Sequence, residues 1–232
     1  MGTSTAEDSG WLRRIHQWTK KSWLLLHGIH PLRLAHSFSP NPGDQAWHIS
    51  PKHLKEKPLV VSLGLAENLS FDLGMIHQFA AVVHGFDPTS ASRQWVEKNE
   101  LPADFHYHAL AVAGHDGWLD LVERKGKGGK RRGPAFQRAP CRRLPTILGD
   151  LRIGQIDVLK MDIEGSEYEV LDDILRAGIF PAQVAVEFHH RFEEIGFQKT
   201  LRAHQALERH GYRLVHLSPW AEEFLYVQRD FA

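Results

Sequence analysis

The sequence predicts an α/β domain on a mainly parallel sheet, closed by an antiparallel hairpin at its C-terminal end. Two patterns carry this reading. Short apolar runs alternate with segments of helical periodicity from Pro58 onward, whereas the last two apolar runs are joined by a turn with no helix between them. A third observation concerns position: polar and small residues gather directly after the apolar runs, at the edge where an open parallel sheet binds ligands.

The elements follow in chain order. Residues 1–10 are small and polar, a frayed tail. Trp11 to about His27 sets Trp11, Leu12, Ile15, Trp18, Leu24 and Leu25 at near-helical spacing among basic residues, an amphipathic helix packed on the main domain. Prolines, histidines and the Asn-Pro-Gly-Asp turn make 31–51 irregular. Residues 1–45 thus read as an N-terminal helical extension and 46–232 as the main domain. Strands are predicted over 59–63, 82–86, 105–112, 156–163 and 182–190, and helices over 71–81 (capped by Ser70), 90–98, 166–177 and 198–210. A turn at 115–118 leads into the apolar run Leu119–Glu123. Tyr212–Ser218 and Glu223–Arg229 form the hairpin.

The stretch Val158–Leu171, VLKMDIEGSEYEVL, joins an apolar strand to an acidic helix start. Ser166 and Glu169 match a capping box, Gly178 and Pro181 supply the stop, and acids in the first turn complement the helix dipole. Local capping therefore accounts for Glu167 and Glu169. Asp162 and Glu164 precede the cap and need another explanation.

Composition narrows the function. With 28 basic and 28 acidic residues among 232, net charge gives no general pull toward nucleic acid or membrane. One cysteine, Cys141, excludes an intrachain disulfide and a multi-cysteine zinc site. No apolar run approaches membrane-spanning length, and no secretory cleavage pattern is visible, so a cytoplasmic protein without stable membrane insertion is expected. Residues 124–143 hold nine basic residues, four glycines and no acid. They read as a glycine-rich surface loop, or one folding over an anionic acceptor.

The strand-end residues are Ser62 and Gly64, Asp87, Ala113 and Gly114, Asp162 and Glu164, then Glu187, His189 and His190. Asp87 follows Gly64 by 23 residues, the spacing at which a carboxylate meets ribose hydroxyls in nucleotide-cofactor sites. The stretch Ser62–Asp72 has one glycine, too few for a pyrophosphate nest. A ribose-bearing cofactor without phosphates, S-adenosylmethionine, fits better than a dinucleotide.

These residues resemble a known family. Lys160–Glu167 (KMDIEGSE) is similar to the signature of FkbM-type methyltransferases, and WHIS, KPLVVSLGLAENLSFD, VVHGFDPT, HALAVAGHDGWLDL and AVEFHH follow in the family's order from about Trp47 to Arg229. Ser62 resembles a branch with Ser-x-Gly in place of Asp-x-Gly. The resemblance implies a Rossmann-like class I methyltransferase fold and methyl transfer from S-adenosylmethionine, usually to a hydroxyl of a sugar or natural product. It gives the cofactor Ser62, Gly64, Glu67, Ser70, Phe71 and Ala113, sets Asp87 on the ribose, and places Asp162 between cofactor and acceptor. The acceptor's proton would go to Glu187, His189 or His190, or a divalent cation held by Asp162, Glu187 and a histidine would acidify the hydroxyl. The rival readings are a non-catalytic binding protein contacting RNA through 124–143, and an NAD(P) oxidoreductase.

Overall fold

The computed structural model describes residues 21–26, 28–32, 38–40, 47–121 and 137–229. The first part of the helix expected over 11–27, the glycine-rich part of the basic stretch and the 45/46 boundary lie outside these residues. The strands are β1 (Leu59–Leu63), β2 (Val82–Phe86), β3 (Phe105–His108), β4 (Ala111–Val112), β5 (Gly117–Leu121), β6 (Gln137–Arg142), β7 (Val158–Met161), β8 (Gln183–Glu187), β9 (Tyr212–Leu217) and β10 (Glu223–Gln228). The helices are α1 (Ser70–Phe79), α2 (Ser90–Lys98), α3 (Leu144–Leu151), α4 (Glu167–Arg176) and α5 (Gly196–Arg209).

Seven strands form the main sheet in the order β3-β2-β1-β7-β8-β10-β9. β3, β2, β1, β7 and β8 run parallel, and β10 lies antiparallel between β8 and β9. This is a Rossmann-like sheet, with the predicted hairpin inserted by its second strand. The central strands are mostly apolar because both faces are covered, with Ser62 of β1 and Lys160 of β7 as buried polar residues. Alternate residues of β1 and β7 serve two cores. Val60 and Val158 pack with Phe71 and Met75 of α1, while Val61, Leu63, Leu159 and Met161 pack with Leu144 of α3 and Val170, Leu171 and Ile174 of α4. Each such side chain contributes about 1.5–3 kcal/mol on burial. Leu24 and Ile29 are fully buried in the second of these cores, and Trp23 meets Phe197 of α5 at 4.6 Å, so these residues of the extension are packed on the domain.

Register places the site. Leu63 pairs with Phe86 on one side and Met161 on the other, and Met161 pairs with Val186. The four strands therefore end nearly level, and Gly64, Asp87, Asp162 and the segment after Val186 leave the sheet at one edge.

Several expectations change. The strand predicted over 105–112 is two strands in different sheets. Leu110 donates to the His108 carbonyl at 2.8 Å, and β4 leaves to pair with β6. β6 arises from the basic stretch itself and joins β5 in a small antiparallel pair. α3 was not predicted, although Leu144, Ile147 and Leu148 give it a buried stripe. Ser70 is the first residue of α1 rather than its cap, and its N–H donates to the Asn68 side chain at 3.0 Å. Among the described residues no helix is long and apolar enough to cross a membrane.

Candidate active site

The loop after β1 is fixed from three sides. Gly64 has φ +80°, and a Cβ there would stand 1.7 Å from the Asp162 carbonyl oxygen. Only glycine lets the first strand end pass this close to the fourth. The Gly64 N–H donates to the Phe86 carbonyl at 3.0 Å, and buried Lys160, its ammonium 4.9 Å over the Trp47 ring, donates to the Gly64 carbonyl at 2.7 Å. Beneath lie Ser62 and Asp72, both buried. Burial raises the Asp72 carboxyl above its ordinary range, against the pull of the Lys160 charge and the Ser62 hydroxyl. Asp72 escaped the sequence reading because it looks like an ordinary helix-start acid.

Asp87 is the third restraint. One carboxylate oxygen accepts the N–H groups of Leu65 (3.0 Å) and Ala66 (2.8 Å). The other accepts the N–H (2.8 Å) and hydroxyl (2.6 Å) of Thr89. A carboxylate offers about four acceptor positions, and these contacts use them. Asp87 thus clamps the loop, and a ribose hydroxyl reaches it only by displacing a partner. The Thr89 hydroxyl is the exchangeable one, since its O–H can rotate. Of the other residues expected at the cofactor, Ser62 is buried under the loop, Phe71 is in the core against Trp47, and Ala113 is buried with its N–H donated to the Arg142 carbonyl. Glu67 is exposed and Ser70 half-buried beside the loop.

The acidic turn after β7 contains the largest correction. Ser166 makes no side-chain cap, and Glu167 is not a solvated first-turn acid: its side chain is 0% exposed. Its Oε1 accepts the N–H groups of Ile163 (2.9 Å) and Gly165 (3.2 Å) and contacts His189 Nδ1 at 2.9 Å. The turn it holds contains Glu164 at φ +55° and Gly165 at φ +112°. A non-glycine residue in the left-handed region is costly and persists where the surroundings impose it. Glu169 is exposed, as first-turn acids usually are.

Strand alternation sorts the residues after β8. Glu187 and His189 share one side, while Phe188 and His190 take the other. His190 is buried, stacked on Phe197 with centroids 4.2 Å apart and 3.4 Å from the Thr200 hydroxyl, so the structure does not bring it to the acidic group. His189 is brought there. Its Nε2 lies 3.7 Å from Asp162 Oδ1, 3.6 Å from Glu164 Oε2 and 3.7 Å from Glu187 Oε1. Arg191 pairs with Glu222 and reaches Glu187 at 3.6 Å.

The acids set the electrostatics. Burial, then its neighbours' charge, pushes His84 and His216 elsewhere in the sheet down to about 4. At His189 burial acts in the same direction, but the hydrogen bond and charge of Glu167, with Glu164 and Glu187, carry it up to about 9. Burial and the charge of Asp162 push Glu187 up to about 8. With Nδ1 engaged by Glu167 and Nε2 facing carboxylates, the His189 imidazole is favoured in its protonated form.

Comparison with known proteins places the chain in a family. The sequence model described as "Methyltransferase FkbM domain" matches residues 36–214. The human "Probable methyltransferase-like protein 24" is 28% identical over 131 residues, covering 55% of this chain and 31% of that protein. The chain thus spans about a third of that relative's length. Among solved structures, the Methanococcus jannaschii fibrillarin pre-rRNA processing protein aligns with TM-score 0.48 at 11% identity over 78% of this chain and 69% of its own. Apo CalS11, a TDP-rhamnose 3'-O-methyltransferase of calicheamicin biosynthesis, aligns with TM-score 0.44 at 12% identity over 77% and 74%. With most of its length matched by the family model, and with that family's acidic stretch at the end of the strand beside its glycine loop, the chain belongs to the FkbM methyltransferase domain family.

Proposed function

We propose that this chain transfers the methyl group of S-adenosylmethionine to a hydroxyl oxygen of a sugar, glycoconjugate or natural product. The observation that carries the reading is the meeting of the Gly64 loop with Asp162, Glu187 and His189 at one sheet edge, in a chain of this family. The loop suits a cofactor without phosphates. The Leu65 and Ala66 amides, which a pyrophosphate would need, already face the Asp87 carboxylate, and a second anion there would be repelled. This disfavours the dinucleotide alternative. The cofactor supplies an electrophilic methyl group on a positively charged sulfonium, and a positive charge is welcome beside Asp162 and Glu187.

An alcohol is a weak nucleophile while it keeps its proton. As its oxygen attacks the methyl carbon the proton must leave, and Asp162 and Glu187 are the carboxylates at this edge that take it. His189, tied to Glu167, positions them. A non-catalytic scaffold would gain nothing from so many acids crowded around one buried imidazole, which is costly to assemble.

The test is transfer of isotopically labelled methyl from S-adenosylmethionine to a panel of sugar and polyketide alcohols, with products resolved by mass spectrometry. The expected outcome is a methyl ether. Label on nitrogen or carbon instead, or none on any acceptor, contradicts the hydroxyl assignment.

A further inference from the structure

We infer that Asp162, Glu164 and His189 form a binding site for one divalent cation, with Glu167 as the group that orients the imidazole. The inference rests on the same edge as the methyl-transfer reading and concerns how that edge is completed. One ligand atom from each of the three residues lies within 4.8 Å of the others.

The argument begins with His189. Its side chain is 1% exposed, and its Nδ1 contacts Glu167 Oε1 at 2.9 Å, which makes Nδ1 the donor and turns Nε2 toward the acids. The carboxylate oxygens of Asp162, Glu164 and Glu187 stand 3.6–3.7 Å from Nε2, beyond hydrogen-bond distance. In the neutral imidazole an Nε2 lone pair ringed by anions at that distance is repulsive, and a proton or a cation among the acids relieves it. A cation about 2.0–2.2 Å from each ligand atom requires ligands roughly 3–4 Å apart, so these separations suit an ion among them better than direct contact. A carboxylate behind a histidine whose other nitrogen faces acids is also the arrangement that holds metal-ligating imidazoles elsewhere. Glu164 supplies a further sign. Its φ of +55° is an uncommon conformation at the position that brings its carboxylate to His189.

Two carboxylates and one imidazole are a mixed oxygen–nitrogen set suited to Mn²⁺, Fe²⁺ or Zn²⁺, leaving coordination positions for water or an acceptor hydroxyl. Glu187 then stays available to take the proton, and the cation lowers the cost of removing it.

The test uses Mn²⁺ with the full chain, following loss of the free-ion electron paramagnetic signal, and S-adenosylhomocysteine binding by calorimetry on the same samples. One Mn²⁺ per chain is expected. Glu164→Gln, at a side chain 66% exposed and so able to fold normally, should weaken it at least about tenfold while keeping the nucleoside bound, and Glu167→Gln should weaken it about 10–100-fold. Failure of the wild type to take up Mn²⁺, or equal uptake by Glu164→Gln, overturns the cation site. A wild type that binds S-adenosylhomocysteine but not Mn²⁺ overturns this inference and leaves the methyl-transfer reading standing; the opposite pattern does the reverse.

Discussion

Gly64→Ala is expected to be the most damaging single-methyl change in the chain. The new Cβ would lie 1.7 Å from the Asp162 carbonyl oxygen and 2.7 Å from its carbon, and φ at this position is +80°. The left-handed backbone costs about 1–2 kcal/mol for a residue with a Cβ, and overpacking against backbone adds about 1–3 kcal/mol. The strain falls on the two strand ends that form the site, because the displaced atoms belong to Asp162. Chemical denaturation should show a loss of about 3 kcal/mol or more, and calorimetry should show no saturable binding of S-adenosylhomocysteine. Gly178→Ala is the matched control. Its φ is +71° but nothing lies within 4 Å of the added Cβ, so it should cost only about 1–2 kcal/mol and leave binding intact. Equal effects from the two substitutions would show that backbone conformation alone matters and that the Gly64–Asp162 approach does not.

Glu167→Ala is expected to have the second largest effect, and the comparison with Glu169 makes it informative. Glu167 is 0% exposed and serves two backbone amides and an imidazole, whereas Glu169, two residues on, is exposed. Removing the Glu167 carboxylate leaves the buried His189 Nδ1–H and two backbone N–H groups without acceptors. Breaking a buried pair in this way costs about 3–5 kcal/mol, and loss of His189 orientation should lower turnover about 10–100-fold. Glu169→Gln should stay within about 0.5 kcal/mol of wild type in denaturation and near its full rate. If the two variants behave alike, Glu167 is only a helix-start acid and the site loses its support.

That contrast also shows what the sequence made legible. The parallel sheet was readable because β1, β7 and β8 are apolar on both faces, and the hairpin because no helix separates Tyr212–Leu217 from Glu223–Gln228. Asp162, Glu187 and His189 were readable as neighbours at one edge from their place at strand ends, and the structure brings them together. Glu167 was misread because the Ser-x-x-Glu pattern is a local rule, and its partner His189 lies 22 residues away. Alternation continued past the end of β8 was available in the sequence and separates His189 from His190, which otherwise look equivalent. β6 was hidden by its basic residues, whose charge marks a surface but does not prevent pairing with β5. Asp87 was placed correctly at the edge, yet its commitment to the loop amides and Thr89 depends on side-chain direction, which spacing does not encode.

The central claim is that the carboxyl edge around Gly64 and Asp162 receives S-adenosylmethionine. Calorimetric titration of the wild-type chain with S-adenosylhomocysteine, with NAD⁺ as the comparison ligand, tests it most directly. The expected result is one saturable site per chain for S-adenosylhomocysteine and none for NAD⁺. Absence of saturable binding to S-adenosylhomocysteine, or preference for NAD⁺, would contradict it.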